Sequence, residues 1–364
     1  LESASPSLRI RLTLGSALGL FMTGAIGASP GAAIPRWQDE FSIQSEIAWY
    51  FNLLFLGALL GIYLGSRLRR RHPWLPLALL TEGLALGLIA LAPGAWGLYG
   101  AAFFLGLGVA VVNFHCNALP VELFPNRPMV VLGRVNAAFG LGAVLAPLLL
   151  LWLPWRLGYG LLALVALVTA FLLRQAPPPQ NEKASSAGPR PRLLPYILLA
   201  VVAYVAVELV LSSYSSLYLL RLGYPDWLVG LLLSLFWVAF TLGRFGLAAF
   251  VARQPLERLF WLHLLALGAV FCYFIPPLAW LFPLLGFLVA PTFPTLYGFA
   301  RVFVGYRAAA YLFYAGAVGG NLVPAAFATL PQEALAWGLL GVVSTMALST
   351  HLLRRNGEAK SPVL

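Results

Sequence analysis

Apolar runs recur along the chain, separated by short stretches in which Arg, Pro, Gly and Asn gather. Each run holds roughly 20 residues, enough for a helix to cross about 30 Å of hydrocarbon. The pattern predicts twelve such spans, at 12–34, 46–66, 73–92, 97–120, 129–152, 155–173, 194–220, 226–251, 258–275, 279–300, 306–329 and 333–353. Between the sixth and the seventh lies QAPPPQNEKASSAGPRPR (175–192), whose Pro, Ser and charge read as a flexible linker. The expected organisation is an N-terminal six-helix bundle over 1–174, a cytoplasmic linker over 175–193 and a C-terminal six-helix bundle over 194–364. The fold class is an all-α polytopic membrane protein.

Charge placement orients the spans. Alternate loops put Arg9, Arg11, Arg67, Arg69, Arg70, Arg71, Arg127, Arg134, Arg174, Lys183, Arg190, Arg192, Arg244, Arg253, Arg258, Arg301, Arg307, Arg354, Arg355 and Lys360 on one side, and only Arg36, Arg156 and Arg221 on the other. That 20-to-3 division of the 23 basic residues predicts both termini and the linker in the cytoplasm of an inner-membrane protein. Removing one span would scramble it. The composition agrees, since 61% of residues are hydrophobic and 10% charged, against about 25% charged in a soluble chain. An ordinary soluble enzyme is excluded. The net charge of +11 sits at span ends, so no nucleic-acid partner is expected. Cys116 and Cys272 fall inside apolar runs in different halves and read as small core residues. The stretch from Leu1 to Arg11 is short and polar, so insertion is expected to use the first span itself.

The two halves are weak repeats of each other. Gly65 in YLGSRLRRR and Gly243 in TLGRFG are 178 positions apart, and Pro147 in GAVLAPLL and Pro324 in GGNLVPAA are 177 apart. Parallel six-helix repeats with a midplane solute cavity are the arrangement of the major facilitator fold. The loop GIYLGSRLRRR (61–71) resembles that superfamily's signature after the second span, with Ser66 where an acid is usual. LLLSLFWVAFTLGRF (231–245), APTFPTLYGFA (290–300) and YVAVELVLSSYSSLYL (204–219) resemble the eighth, tenth and seventh helices of its fucose/glucose/galactose proton-symporter branch and sodium-glucose relatives. That resemblance implies sugar transport coupled to a cation. In the branch an acid on the fourth helix precedes an asparagine by four positions and is implicated in coupling. Here NFHCNAL (113–119) carries Asn113 in place of the acid and Asn117 as the asparagine.

Ionisable groups inside spans are costly and mark pathways, which directs attention to Glu82, Glu208, His115, Arg244 and His263. Tyr204, Glu208, Ser212 and Ser215 share one helical face, making Glu208 the leading coupling candidate. His115 is a second, although it stands about 200° around the helix from both asparagines. A sugar needs amides, hydroxyls and an aromatic face. Asn113, Asn117, Asn136, Tyr204, Ser212, Trp237, Thr241, Thr295, Tyr311, Tyr314 and Asn321 are the candidate binding residues, with Thr292 at similar depth. Ser66, Arg67, Arg70 and Arg244 are expected to gate, Arg244 lying about 10 Å deeper than Trp237. Gly57, Gly61 and Gly65 predict close helix packing. Pro291 and Pro294 predict an interruption of the tenth span.

These features point to a secondary transporter for a small neutral solute, a monosaccharide such as glucose, working by alternating access as a functional monomer in the lipid bilayer. Proton symport through Glu208, sodium coupling and plain facilitation all remain open. The alternative is an efflux antiporter for amphipathic or lipid-like compounds, which the 13% aromatic content also suits. No GxxxxGK[ST] or HExxH pattern occurs, so no nucleotide, metal or other cofactor is implied and an enzyme is not expected.

Overall fold

The computed structural model describes residues 6–43, 45–179, 191–328 and 334–358. Most of the predicted linker, with Lys183 and Arg190, and also Lys360 lie outside them. Among the described residues ten helical stretches are long and apolar enough to cross a membrane. Two shorter apolar helices, Trp74–Ala90 and Ala310–Val323, bring the number to twelve. By their internal contacts the residues divide into two units, Leu1–Gln180 and Asn181–Leu364.

The first unit holds α1 (Pro6–Phe41), α2 (Ala48–Arg67), α3 (Trp74–Ala90), α4 (Ala95–Leu123), α5 (Pro128–Trp152) and α6 (Trp155–Leu173). Its principal pairs are α1 with α5, α2 with α4 and α3 with α6. Glycines set how near the first two pairs come. A Cβ added at Gly24 would overlap the Phe139 carbonyl oxygen, one at Gly142 that of Phe21, and one at Gly57 that of Phe103. Small residues permit this approach where no hydrophobic force draws helices together in lipid.

Helix α1 runs well past its predicted apolar span at both ends, and its C-terminal extension is held by named partners. Arg36 donates to the carbonyls of Leu150 and Leu153 at the end of α5, at 2.7 and 2.9 Å. Trp37 is wholly buried among Tyr50, Trp155 and Tyr159, with ring centroids 5.2 to 6.2 Å away. Beyond the apolar stretch, Glu40 accepts from Arg156 at 2.6 Å and from the Trp155 indole at 2.9 Å. The Arg156 bond holds the Glu40 carboxyl below the usual carboxylate range.

The second unit holds α7 (Leu194–Arg221), α8 (Asp226–Gly246), α9 (Ala248–Arg253), α10 (Pro255–Tyr273), α11 (Pro283–Val289), α12 (Thr292–Phe303), α13 (Tyr306–Ala328) and α14 (Leu335–Glu358). Here α8 and α9 make one span, and α11 and α12 another. The tenth span is therefore interrupted at Ala290–Pro291, where Pro291 and Pro294 predict it. The pairing of the first unit recurs: α7 with α13, α8 with α11 and α10 with α14. Close approaches recur as well, with Gly243 against the Phe287 carbonyl and Gly319 against that of Val202. Both cysteines are free; Cys116 is buried and Cys272 half-buried.

Candidate functional site

In the second unit, one turn of α7 separates Tyr204 from Glu208, so both side chains leave the same face. Arg244, in the last turn of α8, reaches that face. Its Nη2 donates to the Tyr204 hydroxyl at 2.7 Å and stands 4.0 Å from Glu208 Oε2. The guanidinium carbon lies 4.4 Å over the Phe240 ring, which in turn stacks on Tyr204 at 6.3 Å. All three polar residues are buried. A tight Arg–carboxylate contact measures about 2.7–2.9 Å, so Arg244 gives its short bond to the phenol, which in turn hydrogen-bonds Glu208, and its own contact with the carboxylate is loose. The arrangement can release Glu208 to another donor while the charge remains balanced nearby. Along the same face Ser212 donates to the Leu209 carbonyl at 3.2 Å. Ser215 is taken into a tyrosine stack, accepting from Tyr273 at 2.6 Å while Tyr273 and Tyr218 lie parallel at 4.8 Å.

In the first unit, Asn117 donates through Nδ2 to the Asn113 carbonyl and Oδ1, both at 2.8 Å. Asn136 of α5 donates to Asn117 Oδ1 at 2.8 Å and to the Leu132 carbonyl at 3.1 Å. The three amides form a ladder between α4 and α5. Its inner rungs are buried and Asn113 is half-buried, so Asn113 presents the accessible end.

His115 stands apart from that ladder. Its Nδ1 accepts from Arg71 Nε at 3.3 Å. Arg71 holds Glu122 in a bidentate pair, 2.7 and 2.9 Å, and donates also to the Pro177 carbonyl at 3.1 Å. Both charged side chains are fully buried.

The remaining candidates are scattered over their helices. Trp237 is half-buried with edge contacts to Phe236 and Phe240, and Thr241 bonds back to the Trp237 carbonyl. Thr295 is buried, Tyr314 half-buried, and Tyr311 and Asn321 are exposed on α13. Ser66 donates to the Tyr63 carbonyl, Arg67 lies 4.2 Å over the Tyr63 ring, and Arg70 is exposed. Thr292, at the break in the tenth span, lies 2.9 Å from His263 Nε2, while Thr350 of α14 lies 3.0 Å from Nδ1. Glu82 is fully buried on α3, and neither carboxyl oxygen has a hydrogen-bond partner among the described residues.

A family model described as Major Facilitator Superfamily matches residues 16–329. The chain belongs to that superfamily. No curated protein matches it by sequence. Among solved structures it is similar to the major facilitator transporter FucP, with a TM-score of 0.77 and 15% identity, covering 95% of this chain and 99% of that one. It is also similar to a structure of the E. coli fucose:proton symporter FucP, at 0.74 and 17% identity over 98% and 100% of the two chains. The human organic anion transporter TETRAN aligns at 0.64 and 16% identity over 97% and 99%. At these identities the likeness establishes the fold.

Within this major facilitator chain the structure adds to the sequence reading at the site itself. Arg244, expected at a separate gating depth, is joined to Tyr204 and Glu208. The Arg71–Glu122 pair is a finding of the structure: the sequence places Arg71 among the orienting arginines 67–71 and gives Glu122 no role. The available signal was Glu122 itself, a lone acid at the end of an apolar span, where a charge of either sign calls for a partner.

Proposed function

We propose that this major facilitator is a secondary transporter of a small neutral solute, a monosaccharide such as glucose, working by alternating access and coupled to a proton or sodium gradient. The buried Tyr204–Glu208–Arg244 cluster carries the reading, because a carboxylate so loosely held by its cation can exchange partners during a transport cycle. The Asn113–Asn117–Asn136 ladder supports it, since aligned amides donate to and accept from hydroxyls without adding charge. The remaining binding and gating residues keep the roles the sequence suggests, with His115 a second coupling candidate. The reading places the protein in the inner membrane as a functional monomer, with 1–174 and 194–364 as its two bundles, 175–193 as a cytoplasmic linker and both termini in the cytoplasm. The sugar and the coupling ion draw support from FucP only through a shared fold.

The test is radiolabelled glucose uptake into proteoliposomes with and without imposed proton and sodium gradients, comparing wild type with Glu208→Gln. The expected outcome is concentrative uptake in the wild type, its loss in the variant, and counterflow exchange that survives. Absence of saturable glucose flux under every gradient would overturn the glucose assignment and favour efflux of amphipathic compounds.

A further inference from the structure

A cavity of about 510 Å³ opens where α3 begins and α6 ends, lined by His72, Arg174, Gln175 and Ala176. Among the described residues no acid pairs with its arginine. Arg71, the neighbouring cation, is paired with Glu122 and also bonds His115 and the Pro177 carbonyl, and Arg11 is bonded to Gln175 Oε1. Arg174 makes no ion pair among the described residues; its guanidinium carbon lies 3.8 Å over the ring of Phe171. Phe171 is itself exposed, and Leu164 and Leu167 follow it down the same face of α6, also exposed. A cationic, open cavity thus stands at the head of an apolar stripe on a helix that crosses the membrane. Trp74, exposed at the first turn of α3, marks the same level as the interfacial zone.

We propose that this cavity is a binding site for an anionic phospholipid, its phosphate headgroup against Arg174 and His72 and one acyl chain along Phe171, Leu167 and Leu164. The phosphate supplies a counter-charge that no described residue gives Arg174. Free phosphate would bond the same side chains but leave the apolar stripe unused, so the lipid is the occupant that uses both features. The inference rests on the membrane-spanning fold and is independent of the solute.

Native mass spectrometry of the full-length protein, extracted from vesicles of mixed phosphatidylglycerol and phosphatidylcholine, tests it. Wild type is expected to retain phosphatidylglycerol preferentially. Arg174→Gln should lower that preference about five-fold, the effect of one basic residue at an anionic surface, and Arg174→Lys should keep most of it. Arg258 provides a matched control, since it too lies over an exposed phenyl ring, that of Phe250, on the arginine-rich side. Arg258→Gln should leave the preference intact. Equal losses in Arg174→Gln and Arg258→Gln, or no preference in the wild type, would overturn the site. Should Arg174→Gln melt below wild type in pure phosphatidylcholine, the decision passes to the wild type with short-chain competitors. Displacement by dihexanoyl phosphatidylglycerol but not by inorganic phosphate supports the lipid, and equal displacement by inorganic phosphate overturns it in favour of a small-anion site.

Discussion

Two buried acids of the first unit show how much a partner matters. Glu122 and Arg71 meet in a bidentate contact with neither side chain exposed, whereas Glu82 lies equally deep with no hydrogen bond to either oxygen among the described residues. Removing one member of a buried pair leaves an uncompensated charge and costs about 3–5 kcal/mol, while replacing both by apolar residues is often neutral. Glu122→Gln should therefore lower the unfolding temperature markedly, and Arg71→Met combined with Glu122→Leu should recover most of the loss in a thermal melt. A double variant as unstable as the single one would show that the pair supports its surroundings by more than charge balance. Residue types at these positions were legible in the sequence; their partners were not. Arg71 and Glu122 are 51 positions apart and Tyr204 and Arg244 are 40 apart, and hydropathy carries no information about which helix faces which.

At the scale of elements, the spans were legible because lipid imposes a length and an apolar content that composition records directly. The interruption at Ala290–Pro291 was legible for a similar reason, proline being unable to donate to the helix ladder. The extension of α1 was not, since Arg36, Trp37 and Glu40 look like loop residues until the groups that hold them are known. The glycine repeat on α2 was visible, but its three members are unequal. At Gly57 a Cβ would collide with the α4 backbone, whereas at Gly65 its nearest neighbour would be the Cα of Val111 at 3.4 Å, an ordinary contact. Gly57→Ala is expected to cost about 1–3 kcal/mol, as overpacking of a tight interface does. Gly65→Ala should be nearly neutral. Thermal unfolding of the two variants side by side checks the contrast, and equal effects would contradict it.

At the scale of the whole molecule, the two units repeat one scheme of pairing: first helix with fifth, second with fourth, third with sixth. Each of these principal pairs closes inside its own unit. Two separately expressed chains, cut between Gln180 and Asn181, are therefore expected to insert and to restore transport when produced together, measured as uptake in cells against either chain alone. Failure of the combination, with both chains present in the membrane, would show that covalent continuity is required. The scheme also bears on biosynthesis. Polypeptide emerges from a ribosome at about 5–20 residues per second, so on the order of ten seconds or more passes between completion of the sixth helix and arrival of the twelfth. Every principal partner of α1 through α6 is by then already in the bilayer, and the Arg71–Glu122 pair can close while the rest of the protein is still being translated.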